Sequence, residues 1–259
     1  MPSFFYKKEQ VIDFAQIEDV DMIQELILHH CTVSNFSRIA QAKGLKSVAL
    51  VNCNITSQDL VCLQSLEKLK KVTLGLMKLD SILCLTGIAP LRELTLRGME
   101  GIDYAQLAQF PKLLSLSLLE TEVPSFDFMK GLKNLKTLEI KDVPLHHLEF
   151  LRVLPKLKEF ELLDRVEDES ALESIGSMKQ LQRFQYPVGD LRLYAPCPKL
   201  NSIGIDSSRV TDFTPLEGKT GITDIMFYNL VSKSQFEEQL ASVSQYLTLE
   251  SYGYTGQID

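Results

Sequence analysis

LKTLEIKDVPLHHLEFLRVLPK, residues 135–156, carries leucine or isoleucine at 135, 138, 140, 145, 148, 151 and 154. The first part alternates with period 2 through Leu138 and Ile140, as a half-buried strand does. The second part steps by three through Leu145, Leu148, Leu151 and Leu154, as a tight helical turn with one apolar side does. One 22-residue stretch therefore reads as a strand followed by a return.

The same pattern recurs along the chain. Upstream lie IQELIL (23–28), LKSVAL (45–50), LKKVTL (69–74), LRELTL (91–96) and LLSLSL (113–118). Downstream lie LKEFEL (157–162), LQRFQY (181–186), LNSIGI (200–205) and ITDIMF (222–227). Six of the nine steps between starts are 22 residues long, two are 24 and one is 19. Extending the frame reaches Phe4 and Tyr6 at one end and Leu247 and Leu249 at the other, which makes about 11–12 turns. LxxLxL at this period resembles the short, bacterial-internalin-like class of leucine-rich repeat, and TDFTPLEGKTG (211–221) resembles the convex half of such repeats.

The resemblance implies an α/β leucine-rich-repeat solenoid, with a parallel sheet on its concave face and 3₁₀ or short helices on its convex face. The physical logic agrees. A single turn cannot bury both its strand and its return, so turns stack and share one core. A single domain over residues 1–259 is the expectation. The ninth residue of each turn tests the inner ladder. Cys31, Cys53, Thr121 and Ser208 suit a polar or thiol ladder, whereas Met77, Met99, Val143 and Leu230 would fill it by packing. YPVGDLRLYAPCPK (186–199), with three prolines, predicts an extended return. SQFEEQLASV (234–243) predicts a helix, with Ser234 and Glu237 as a capping box.

Bulk properties bound the function. The chain has 259 residues, 45% hydrophobic and 24% charged, which is a globular composition. A formal net charge of −7 disfavours nonspecific nucleic-acid binding and favours a basic partner. No signal-peptide pattern opens the chain, and no apolar stretch approaches a membrane span. Five cysteines without a CxxC pair suit a reducing compartment, so a cytoplasmic location is expected. Cys31 and Cys53 hold equivalent places in adjacent turns, and a packed reduced pair is the expectation over a redox switch. His29, His30, His146 and His147 lack the further ligands a closed zinc site needs. No phosphate loop, dinucleotide fingerprint or nucleophile elbow is present. The expectation is a protein with no catalytic residues, no metal and no cofactor.

Positions three, five and seven of each turn should face solvent on the sheet. They include Leu119, Glu139, Lys141, Glu159, Glu161, Leu163, Asp206, Asp224 and Tyr228, the candidate partner-binding set, with Asp142 and Asp164 at the strand-exit edge. Acidic groups beside apolar anchors have the composition of a protein-binding surface. Two functions follow. One is an interaction module that clamps a protein partner, of which an inhibitor or immunity-type protein is a concrete form. The other is a scaffold or regulatory subunit of an enzyme complex.

Overall fold

A computed structural model of the chain describes residues 4–163, 166 and 169–255. The chain divides into two compact units, Met1–Leu135 and Lys136–Asp259.

In the first unit, strands β1 (Phe4–Lys8), β3 (Glu25–His29), β5 (Ser47–Val51), β6 (Lys71–Gly75), β7 (Glu93–Arg97) and β8 (Ser115–Leu119) form a parallel sheet in sequence order. From β3 to β8 the pairing runs residue for residue: Leu26, Val48, Val72, Leu94 and Leu116 lie side by side. All five are buried. They are the fourth residues of LxxLxL, and the sixth residues (Leu28, Leu50, Leu74, Leu96 and Leu118) form a second buried row. The alternation therefore sets register, since a one-residue slip would turn both rows to water. The returns are mostly 3₁₀ turns that bury one side, such as Phe36 and Ile39 in Phe36–Gln41, and Tyr104 and Leu107 in Tyr104–Gln109. Strands β2 (Val11–Asp13) and β4 (Thr32–Ser34) pair in a second, two-stranded parallel sheet.

Each strand of this unit from β3 to β8 exits through a left-handed residue at position eight: His30, Asn52, Leu76, Gly98 and Glu120, with φ between +50° and +55°. This conformation aims the N–H of His30, Asn52, Leu76 and Gly98 at the next strand, where it donates to Val51, Gly75, Arg97 and Leu119 carbonyls at 2.7–2.9 Å. One more backbone bond per turn is gained at the cost of a strained dihedral, and only Gly98 avoids that strain through its missing Cβ. Just inside lies the ninth-residue ladder. The Cys31 thiol donates to the Lys7 and His29 carbonyls, and the Cys53 thiol to those of Leu28 and Val51. Thr121 meets the Tyr104 hydroxyl, while Met77 and Met99 fill the ladder by packing.

The second unit has strands β9 (Thr137–Lys141), β10 (Glu159–Leu162), β11 (Arg183–Val188), β12 (Ser202–Asp206), β13 (Asp224–Tyr228) and β14 (Ser251–Tyr254), again parallel and in sequence order. Leu138 and Ile140 are fully buried, and Glu139 between them faces solvent and is half-buried. Aromatic rings replace leucines in the core. Phe160 stacks on Phe184 at 5.5 Å, Phe184 on Tyr186 at 5.9 Å, and Tyr194 meets Phe184 edge-on at 6.4 Å.

The structure corrects five expectations. In β1 the frame is one residue out: Phe5 and Lys7, not Phe4 and Tyr6, pair with the inward Leu26 and Leu28, and Tyr6 is exposed. The 186–199 return is not wholly extended: Leu191–Tyr194 is a 3₁₀ turn capped by Asp190, which accepts from the Arg192 N–H. Its three prolines, at 187, 196 and 198, all lie outside that turn and clash with nothing in it. The helix Lys233–Val243 is capped by Ser232, two residues earlier than expected, because Ser232 is the extended residue whose hydroxyl reaches the Gln235 N–H. Leu247 and Leu249 do not occupy the last strand. An α-helix uses more chain than a 3₁₀ turn, and the strand begins at Ser251, where Tyr252 and Tyr254 pair with the inward Ile225 and Phe227 and pack on Phe236 while remaining exposed. Ser208 is exposed, and Ser207 takes the buried place expected for it.

The register break lies in β11. Phe184 pairs with Ile203, but Val188 pairs with Ile205, so the segment between Phe184 and Val188 bulges. Gly204 sits opposite this bulge, and a Cβ there would lie 2.3 Å from the Tyr186 carbonyl oxygen. Tyr194, fully buried, donates its hydroxyl to the Gly204 carbonyl at 2.6 Å.

Candidate functional site

On the solvent face of the second unit's sheet, register sets the neighbours. Glu161 pairs with Glu139 on β9 and with Gln185 on β11, and Glu159 pairs with Thr137 and Arg183. Beyond them, Arg183 pairs with Ser202, Ser202 with Asp224, and Asp224 with Ser251. The face thus carries rows of side chains, one residue per strand, about 4.8 Å apart.

The centre of the face is a bonded polar layer. Gln185 is only 4% exposed. Its amide nitrogen donates to the Ser202 hydroxyl at 2.9 Å, and its amide oxygen accepts from the Tyr228 hydroxyl at 3.2 Å. Tyr228 stands on β13 and Gln185 on β11, so the bond between them spans β12. Burial pushes the Tyr228 phenol up to about 12, the Glu161 charge adds to the rise and Arg183 opposes it. Burial likewise raises the Glu161 carboxyl above its ordinary value, the Glu139 charge adds to that, and Arg183 partly offsets both. Carboxylates, phenol and guanidinium therefore act on one another electrostatically.

Of the candidate residues, Glu139, Glu161 and Tyr228 meet in this layer, each half-buried, with Glu159 exposed beside it. Lys141 is exposed at the exit of β9, and Leu163, 41% exposed, follows β10. The Asp224 carboxylate is half-buried and accepts from the Thr223 and Ser251 hydroxyls. Leu119 is half-buried on the sheet face of the first unit. Asp142 is exposed with φ +51°, and Asp164 lies outside the described residues.

Asp206 is corrected. It is 2% exposed and offers no carboxylate to a partner. Burial raises its pKa, but hydrogen bonds from the side chains of Ser208 and Asn229, the Ser208 N–H and the charge of Arg209 outweigh that and leave it lowered. The Ser208 bonds measure 2.6 Å to its hydroxyl and 3.0 Å to its N–H. Asp206 is a cap for the turn that leaves β12. Arg183, Gln185 and Ser251 lie on the same face and are absent from the candidate set. The first two occupy the predicted outward positions. Ser251 was hidden because LESYGY (249–254) carries the repeat pattern with tyrosines where leucines usually stand.

Among the described residues, no group of three or more His, Cys, Asp or Glu is placed to hold a metal ion. None of their helices is long and apolar enough to cross a membrane. Cys62 and Cys84, in the returns of the first unit, have thiols pushed up to about 11 by burial, which suppresses the thiolate.

No family model and no curated protein sequence matches the chain. Solved structures do. An internalin (inlF) from Listeria monocytogenes superposes with a TM-score of 0.59 at 16% identity, covering 96% of this chain and 78% of that one. An internalin C2 (inlC2) from Listeria monocytogenes gives 0.48 at 20% identity, covering 81% and 82%. A leucine-rich-repeat protein from Leptospira interrogans gives 0.43 at 12% identity, covering 87% and 71%.

Proposed function

We propose that this chain, a leucine-rich-repeat protein of the internalin-like fold, is a non-catalytic interaction module that binds one protein partner on the open sheet face of its second unit. The polar layer around Gln185 carries this reading. A buried amide bonded on both sides holds Tyr228 in place, and the pairing of β9 with β10 sets Glu161 beside Glu139, giving a preorganised acidic surface with Leu163 as an apolar neighbour. Preorganised groups lose little freedom on binding. Charge supports a basic partner: residues 136–259 hold 19 acidic and 13 basic residues, net −6, against net −1 in residues 1–135. An inhibitor or immunity-type protein acting on a basic enzyme fits best, because an acidic face can occupy the site meant for a polyanion. Reduced, backbone-bonded thiols at Cys31 and Cys53 accord with a cytoplasmic setting. The recurrence of the strand-and-return pattern along the sequence supports one domain over residues 1–259, which would melt in a single transition.

A photo-crosslinker at position 159 or 226 should capture the partner from host lysate, and one at position 149, in a 3₁₀ return, should not. Capture from position 149 alone would move the partner to the other side of the molecule.

A further inference from the structure

A cleft of about 430 Å³ opens on the same sheet face, next to β14. Its walls include Glu159, Arg183, Ser202, Asp224, Met226 and Ser251. Five of these form one register row, Glu159–Arg183–Ser202–Asp224–Ser251, which holds two carboxylates three strands apart with one guanidinium and one hydroxyl between them. Met226 lies beside Gly253, where a Cβ would come within 3.2 Å of its terminal methyl, so an apolar thioether adjoins the polar row.

We propose that this cleft seats an extended segment of the partner bearing two basic side chains four residues apart. The inference rests on the sheet face being the partner surface. Glu159 and Asp224 stand three strand steps apart, about 14 Å at roughly 4.8 Å per step. An extended chain advances about 3.4 Å per residue, so residues i and i+4 are also about 14 Å apart and point to the same side. On a helix the same two residues would be only about 6 Å apart and could not reach both carboxylates. The residue between them, at i+2, falls between Arg183 and Ser202, where a hydroxyl or carboxylate finds donors. Met226 offers a surface for the aliphatic stem of a lysine or arginine. Gln182 and Asn201 line the mouth with amides suited to peptide groups. A greasy ligand gains little from such walls.

The test uses a fluorescent seven-residue glycine–serine peptide with two arginines four positions apart, titrated against the whole chain at low salt. Comparison peptides carry the arginines adjacent, or glutamates in their place. The spaced arginine peptide should bind about 10-fold more tightly than the adjacent one, since only it engages both carboxylates. Asp224→Asn and Glu159→Gln should each weaken it about 5- to 10-fold, and Glu93→Gln on the first unit should leave it unchanged. Equal binding of the glutamate or adjacent-arginine peptide would overturn the proposal, as would insensitivity to both cleft substitutions or no binding at all. If crosslinking from position 159 still captures the partner when the peptide fails, only the occupant is wrong. If both fail, the surface assignment falls with it.

Discussion

In the first unit, strands β3 to β8 pair without a break, aliphatic residues fill both inward rows, and the sheet face carries mostly short or ion-paired side chains such as Ser47, Thr95, Ser115 and the Lys71–Glu93 pair. In the second unit, aromatic rings crowd the core, β11 bulges, and polar groups are buried at Gln185 and Asp206. Regular stacking needs only the repeat, because each leucine meets another from the next turn. The bulge needs Gly204, Tyr194 and the Gln185 amide to hold it. Departures from regularity that are held in place by specific polar contacts mark where a repeat array has been shaped for something other than folding.

The largest effect expected is common to both units. Leu138→Asp and Leu94→Asp each place an unpaired carboxylate in a fully enclosed row and should cost several kcal/mol in chemical denaturation. A cost confined to one of them would show that the two cores are not built alike.

Glycine substitution should separate the units. Gly204→Ala drives a Cβ into the Tyr186 backbone and should cost about 2 kcal/mol or more, as overpacking does. Gly75→Ala meets only Val51 methyls and the Arg97 Cβ, at 3.4–3.6 Å, and should be near neutral by the same melt. Tyr194→Phe, which strands the Gly204 carbonyl, should cost about 1–2 kcal/mol.

In the regular unit the removable strain is at a strand exit. Leu76 holds φ +51° while 43% exposed. Leu76→Asn should stabilise by about 0.5–1 kcal/mol, since asparagine tolerates that conformation and little packing is lost. A loss of stability would mean that Leu76, which crowds the Gly98 position, packs for more than its strain costs.

The smallest effects are pH-dependent and opposite in sign within the second unit. The folded pKa of Glu161 is raised, so its contribution favours folding at low pH and is lost as pH rises through that folded value. The folded pKa of Asp206 is lowered, so its contribution is present above the unfolded value and lost as pH falls through the folded one. Glu161→Gln should therefore raise stability at neutral pH and not at acidic pH. Asp206→Asn should lower stability at neutral pH, with the difference fading in acid.

Much of this was legible in the sequence, for a physical reason. Strand positions four and six repeat an apolar requirement in every turn, so Leu138, Ile140 and their counterparts announce both the fold and the outward set Glu139, Glu159 and Glu161. What was hidden depends on single contacts. Nothing in SIGID shows that Asp206 turns back to cap Ser208, and although Pro187 in RFQYPV marks a bulge, nothing there shows that Gln185 is buried. The left-handed exits were equally silent, because the residues that take them (histidine, asparagine, leucine, glycine, glutamate and aspartate) share no side-chain chemistry. The last strand was displaced because one α-helix consumes more residues than the turns it replaces.

The central claim, that the second unit's sheet face is the partner surface, is tested most directly by association kinetics with the captured partner at several salt concentrations. Glu139→Gln, Glu159→Gln and Glu161→Gln together remove three charges and keep side-chain shape. The on-rate should fall about 10-fold at low salt, with a flatter salt dependence. Glu25→Gln with Glu93→Gln on the first unit should change nothing. An unchanged on-rate for the triple variant, with loss of binding from the first-unit pair, would contradict the claim.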